Sequence, residues 1–522
     1  MPILLWTLSL LLGAVLLAAL ARRIKVPSPS LFALGGVIVA LLPNGPRISL
    51  EPDLALALFL APVLMDAAFD NSLRDLRENW IPVTSLVFIA VAITTTAVAL
   101  VARSLVPAMP WPVAIALGAA VAPPDAAAAT AVLKEVRLPR RLVAVLEDES
   151  LLNDASALLV YRLAVGAAVA HLGDVTAVAS TLALVLVGSV ALGALFAFAF
   201  GSVVARFSDV PSSIVLQFLG AFGVWILADR LELSGVLVIV TAAAILSRRS
   251  ALTMPATVRV SAYAVWDTAV FVLNALAFIM VGLQLGPIMD RLSHAHHVNY
   301  AIFAAVIVAT VILARLGWLM SYNILLRLTN RIFGDRTPRS LAPPRYKRSL
   351  LAAWCGMRGI VTLATALALP DGSGAAPAFP YRDLIVLTAF AVVLGTLVIQ
   401  GFTLRALATM LNLEDDSTGP DEIHAGRVQM FIAALESLGQ DNSDIAADLR
   451  REYSDLLKHI DGSGADSPQA HEADLALRAK ARAAARARLN QMRLAGAIGE
   501  STFQELEAEL DLMEIAQVRS RL

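Results

Sequence analysis

Between residues 3 and 412, long apolar runs alternate with short polar loops rich in arginine. A spanning helix needs roughly 20 apolar residues. The pattern predicts about thirteen membrane spans on that scale. They fall at 3–21, 29–43, 51–69, 80–102, 111–133, 142–170, 175–205, 211–229, 231–247, 264–288, 299–326, 348–370 and 383–412. Basic loop residues test the count. With the amino terminus outside, the inside loops carry about twenty Lys and Arg and the outside loops about five, a clear positive-inside bias. Residues 413–522 are polar, with helical spacing and no run of spanning length, and the orientation makes them a cytoplasmic helical tail. Within the tail, 462–470 reads as a flexible linker and the basic run 480–488 as a solvated helix face.

Composition agrees with a polytopic all-α membrane protein. The 522 residues are 58% hydrophobic and 16% charged, with a mean hydropathy of +0.72. A net charge of −1 implies no bulk attraction to nucleic acid. The first apolar run lacks a basic start and is followed by Arg22, Arg23 and Lys25, which reads as a first span rather than a cleaved leader. The single cysteine, Cys355, cannot form an intrachain disulfide and reads as a small packing residue.

Two spans are interrupted. The fifth contains Ala122-Pro123-Pro124-Asp125, where consecutive prolines remove backbone donors and disfavour helix before them. The twelfth contains Cys355-Gly356-Met357-Arg358-Gly359, an arginine between glycines. Irregular backbone survives at membrane depth only where it meets protein or a cavity. The breaks lie seven spans apart, an offset that reverses direction across the bilayer, so two inverted six-helix repeats joined by a seventh span are expected. Broken spans in corresponding positions point to a transporter's midplane site.

The sixth span carries Glu147, Asp148, Glu149 and Asp154. A charge at the bilayer centre costs roughly 2.5–3.5 kcal/mol even on lenient scales. Ser150 and Asp154 lie four apart on one helix face, with Glu149 and Asn153 on the adjoining stripe. The first face offers oxygen ligands to a hard cation. Glu149 is expected to pair with Arg358 as a structural ion pair. Glu147 and Asp148 are expected to be solvated near an inside funnel, and Arg162 to reach the outer interface.

These residues resemble the NhaP/NHE-type monovalent cation–proton antiporters. The resemblance rests on Glu149-Ser-Leu-Leu-Asn153-Asp154, the proline–aspartate break at Asp125 and Gly356-Met-Arg358-Gly359. Weaker matches are Phe59 to Phe69 around Asp66, and Val281-Gly-Leu-Gln-Leu. The resemblance covers 3–412. It implies a homodimer in the cell membrane, a core domain (around 111–170 and 348–370) moving against a dimerisation domain, crossed broken helices, and ion binding at the aspartate after the asparagine. Two departures stand out. Pro124 replaces the usual threonine before the aspartate, removing a hydroxyl and an amide donor, and Asp148 replaces the usual glycine before Glu149.

The expected function is exchange of Na⁺ or Li⁺ for H⁺ by alternating access. Asp154 would bind cation and proton in competition, and Asp125, Ser150, Asn153 and the carbonyls near Pro124 would complete the site. The metal in question is a transported Na⁺ on Asp154, Asp125 and Ser150, and no cofactor is expected. Neutral Asn153, where related electrogenic antiporters have a second aspartate, implies electroneutral exchange. A K⁺/H⁺ exchanger is the nearest rival; a channel and an intramembrane aspartyl enzyme using Asp125 and Asp154 are the alternatives from other classes. The seven histidines fall in loops or the tail, and the outside set His294, His296 and His297 reads as polar loop filler rather than a transition-metal site.

Overall fold

A computed structural model describes residues 2–43, 46, 51–71, 73–125, 140–170, 175–207, 209–291, 297–333, 346–371, 378–413, 418–439 and 443–460, with scattered positions between 480 and 512. His294, His296 and the 462–470 linker lie outside the described residues, as do 481–483 and 486 of the basic run; its described positions are exposed, as a solvated face requires. Among the described residues every regular element is helical. Nine helices there are long and apolar enough to cross a membrane, and Ser28–Ala40 and Trp111–Val121 are shorter apolar helices. The chain forms two compact units, Met1–Asp416 and Ser417–Leu522.

The first unit runs α1 (Pro2–Ile24), α2 (Ser28–Ala40), α3 (Pro52–Asp70), α4 (Trp80–Leu105), α5 (Trp111–Val121), α6 (Arg140–Ala170) and α7 (Val175–Val204). It continues with α8 (Val210–Arg230), α9 (Gly235–Thr253), α10 (Ala256–Leu283), α11 (His297–Phe333), α12 (Tyr346–Trp354), α13 (Ile360–Leu367) and α14 (Arg382–Leu411). Proline sits in the first turn of α2, α5 and α8, where its missing N–H leaves no helical bond unmade. On α1 an outward stripe of Leu5, Leu8, Leu12, Val15 and Leu16 stays exposed. A stripe of this kind suits lipid tails rather than water.

Helices in lipid gain little from hydrophobic burial against one another and pack through small residues. Gly36 of α2 and Gly282 of α10 show this: a Cβ on Gly36 would overlap the Ile279 carbonyl, and one on Gly282 the Ala33 carbonyl. The backbones of α2 and α10 therefore touch.

Two wide π-helical turns interrupt the regular ladder, Leu56–Leu60 in α3 and Ser85–Ala90 in α4. Such turns free backbone carbonyls for outside partners. Ser156 of α6 donates its hydroxyl to Val87 O at 2.7 Å, which fixes α6 against the widened turn of α4.

The second unit contains α15 (Thr418–Ser437) and α16 (Asp444–Ile460), which pack together with the Phe431 and Tyr453 rings 5.9 Å apart. Arg450 donates to Leu438 O and Gly439 O at 3.2 and 2.7 Å, satisfying carbonyls just beyond the end of α15.

Candidate ion-binding site

The first break begins where α5 ends. Pro123 and Pro124 supply no N–H, so the helix ends before them and the chain has no regular structure from Ala122 to Asp125. The second break separates α12 from α13, with Gly356 to Gly359 outside any regular element and Gly359 in extended backbone. The breaks lie side by side: Asp125 N donates to Met357 O at 2.7 Å.

Arg358 joins them a second time. It is fully buried, and its guanidinium donates to Val121 O and Ala122 O at 3.1 Å each, and to Gly356 O. Its own N–H donates to Thr396 Oγ1 of α14 at 3.0 Å. The cation thus occupies the carboxyl end of the α5 half-helix, where unsatisfied carbonyls carry partial negative charge.

That placement corrects the pairing expected for Glu149. Its partner is Arg315 of α11, in a two-pronged contact at 2.5 and 2.8 Å with both side chains buried. Arg315 also donates to Ala352 O of α12 at 3.3 Å. The physical reason is capacity. The guanidinium of Arg358 is drawn to carbonyls freed by the prolines, whereas Arg315 meets the Glu149 carboxylate with the parallel fork that suits it. Gly356 makes room, since a Cβ there would overlap the Arg315 side chain.

Asp125, Ser150, Asp154 and Pro124 line one cavity of about 470 Å³. Asn153, one stripe away, donates Nδ2 to Pro124 O at 2.9 Å and so holds the break against α6; its Oδ1 is buried with no hydrogen-bond partner among the described residues. The Asp125 carboxylate lies against Gly359 at the amino end of α13, where a Cβ would overlap it. Free N–H groups at that end favour an anion. Asp154 is 8% exposed and has no hydrogen-bond or ion-pair partner among the described residues. It feels the Asp125 charge. Glu149 and Arg358 are both engaged elsewhere, which leaves Asp154 as a buried carboxyl of this cavity with no such partner among the described residues. Among the described residues no three His, Cys, Asp or Glu side chains group as a metal site. A cation here would meet a mixed set of carboxylate, hydroxyl and carbonyl oxygens.

Other walls of the cavity escaped sequence reasoning as site residues. Asp66, Asp70 and Asn71 come from the end of α3, and Asp267 and Asn274 from one face of α10. Glu147 is exposed and lines the cavity as expected of a solvated charge. Asp148 does not: it is buried, and accepts from Asn71 Nδ2 at 2.7 Å. One residue further round the helix, it points into protein. Arg162 is exposed.

A family profile described as "Sodium/hydrogen exchanger, transmembrane" matches residues 8–410. The chain belongs to this family. It is similar to a Mycobacterium tuberculosis protein described as an uncharacterised Na⁺/H⁺ exchanger, 28% identical over 97% of this chain and 95% of that one. It is also similar to a sodium, potassium, lithium and rubidium/H⁺ antiporter of Bacillus pumilus, 26% identical over 83% of this chain and 66% of that one. Among solved structures, the sodium proton antiporter MjNhaP1 of Methanocaldococcus jannaschii shares the fold, with a TM-score of 0.61 and 19% identity over 78% of this chain and 97% of that one.

Proposed function

We propose that this protein exchanges Na⁺ or Li⁺ for H⁺ across the cell membrane by alternating access, with Asp154 holding cation and proton in turn. The observation that carries the reading is a buried carboxyl without a partner among the described residues, in a cavity walled by both broken segments. An empty, charged Asp154 would face the full cost of crossing an apolar barrier. Loaded with H⁺ or Na⁺ it is neutral, so only loaded states cross, and this couples the fluxes.

In this reading Asp125, Ser150, the Asn153 Oδ1 and backbone oxygens near Pro124 complete the cation's shell, and the Glu149–Arg315 pair and Arg358 hold the shell in place. Thirteen crossings place the amino terminus outside and the tail, 413–522, in the cytoplasm. The two broken segments belong to inverted repeats within a core that moves against a dimerisation domain in a homodimer. Net exchange is one cation for one proton. The Bacillus pumilus relative is described as acting on potassium as well as sodium, lithium and rubidium, so K⁺ is the cation to compare.

The test is a fluorescence assay of proton flux in everted vesicles, adding Na⁺, Li⁺ and K⁺ separately over a pH series. Flux driven by Na⁺ or Li⁺ and lost in Asp154→Asn is the expected result. Flux unchanged in that variant would remove Asp154 from the mechanism. Flux driven by K⁺ alone would turn the assignment to a K⁺/H⁺ exchanger.

A further inference from the structure

A helical threonine ordinarily returns its hydroxyl to the carbonyl four residues earlier. Thr310, Thr365, Thr388 and Thr396 all do so, to Val306, Val361, Leu384 and Val392 at 2.6–2.8 Å. Thr362 cannot. It lies in the first turn of α13, and the residue four before it is Arg358, inside the non-helical break. Its Oγ1 is buried with no hydrogen-bond partner among the described residues, and Thr362 lines the same cavity as Asp125, Ser150 and Asp154. A buried hydroxyl without a partner is unfavourable unless something arrives to use it.

The chemistry of the site says what arrives. A hydroxyl oxygen is a hard, neutral ligand with two lone pairs, suited to a small alkali cation. On the first break, Pro124 offers neither a hydroxyl nor an N–H, and its carbonyl already accepts from Asn153. We infer that Thr362 supplies a hydroxyl ligand to the transported cation from the opposite break, and that this oxygen tunes the preference among alkali cations. The inference rests on the Asp154 reading above. It adds α13 to the cation's shell, so cation binding would draw the two broken segments together.

The experiment uses the full-length protein in proteoliposomes, measuring proton flux against Na⁺ and K⁺ concentration for wild type, Thr362→Val, Thr362→Ser and Asp154→Asn. Valine keeps the shape and removes the oxygen; serine keeps the oxygen. Loss of one charge-facing ligand predicts about a tenfold rise in the Na⁺ half-saturation of Thr362→Val. A smaller change is expected for K⁺, which is held less tightly by any one oxygen, and Thr362→Ser should stay close to wild type. Equal half-saturation in Thr362→Val and wild type for both cations would overturn the inference. If the valine variant does not reconstitute, the Na⁺ concentration that half-protects Thr362→Ala from heat in detergent decides instead. A rise supports the ligand and no change overturns it. Asp154→Asn separates the two levels. Wild-type Na⁺ response in that variant sinks the site itself, whereas its loss beside a normal Thr362→Val sinks only the threonine.

Discussion

Arg315→Met removes the partner of Glu149 and leaves a carboxylate with 1% exposure facing a methionine. Breaking a buried ion pair from one side typically costs about 3–5 kcal/mol, because the orphaned charge stays desolvated. Unfolding entropy is about 2 cal/mol/K per residue. For the unit Met1–Asp416 the loss corresponds to roughly 3–6 °C in the melting midpoint. The assay is thermal unfolding of the purified protein in detergent, followed by intrinsic fluorescence. Adding Glu149→Gln should restore most of the loss, since no buried charge then lacks a partner. The resulting double-mutant cycle should give a coupling of about 2–3 kcal/mol for Glu149 with Arg315. The matching cycle for Glu149 with Arg358→Met should give less than half of that, because Arg358 donates to carbonyls. A larger coupling to Arg358 than to Arg315 would refute the pairing and the division of labour built on it.

Other substitutions probe the site from different sides. Gly359→Ala places a methyl group on the Asp125 carboxylate; Na⁺-driven proton flux should fall about tenfold or more with protein yield retained, and normal flux would contradict the contact. Asn153→Ala leaves Pro124 O without its donor, a loss of about 1–3 kcal/mol that thermal unfolding should detect. Tyr161→Phe removes the 2.7 Å bond to Thr365 O and should lower stability by about 1 kcal/mol, with the Na⁺ half-saturation little changed.

The long apolar helices and both breaks were legible in the sequence because their causes are local. Spanning length shows in hydropathy, and Pro123-Pro124 and Gly356/Gly359 disrupt helix by covalent structure alone. The shared face of Ser150 and Asp154 followed from helical period, and both line the same cavity. Partner choice is not local. Glu149 demanded a cation, but nothing in the chain order distinguishes Arg358 from Arg315. A signal existed: Arg315 is the one charged residue between 299 and 326, and a lone charge in a span calls for a partner. Asp148 failed for a related reason, since one residue of helix rotation turns solvent into protein. The far wall of the cavity, Asp66, Asp70 and Asp267, comes together only through the packing of α3 and α10, which hydropathy does not encode.

In the proposed mechanism cation and proton compete for Asp154. Proton release on adding Na⁺ to the purified, weakly buffered protein measures this competition directly. Release of one proton per Na⁺ bound is expected, shrinking at high pH as the carboxyl empties beforehand, and absent in Asp154→Asn. Sodium binding with no proton released at any pH, or release undiminished in Asp154→Asn, would contradict it.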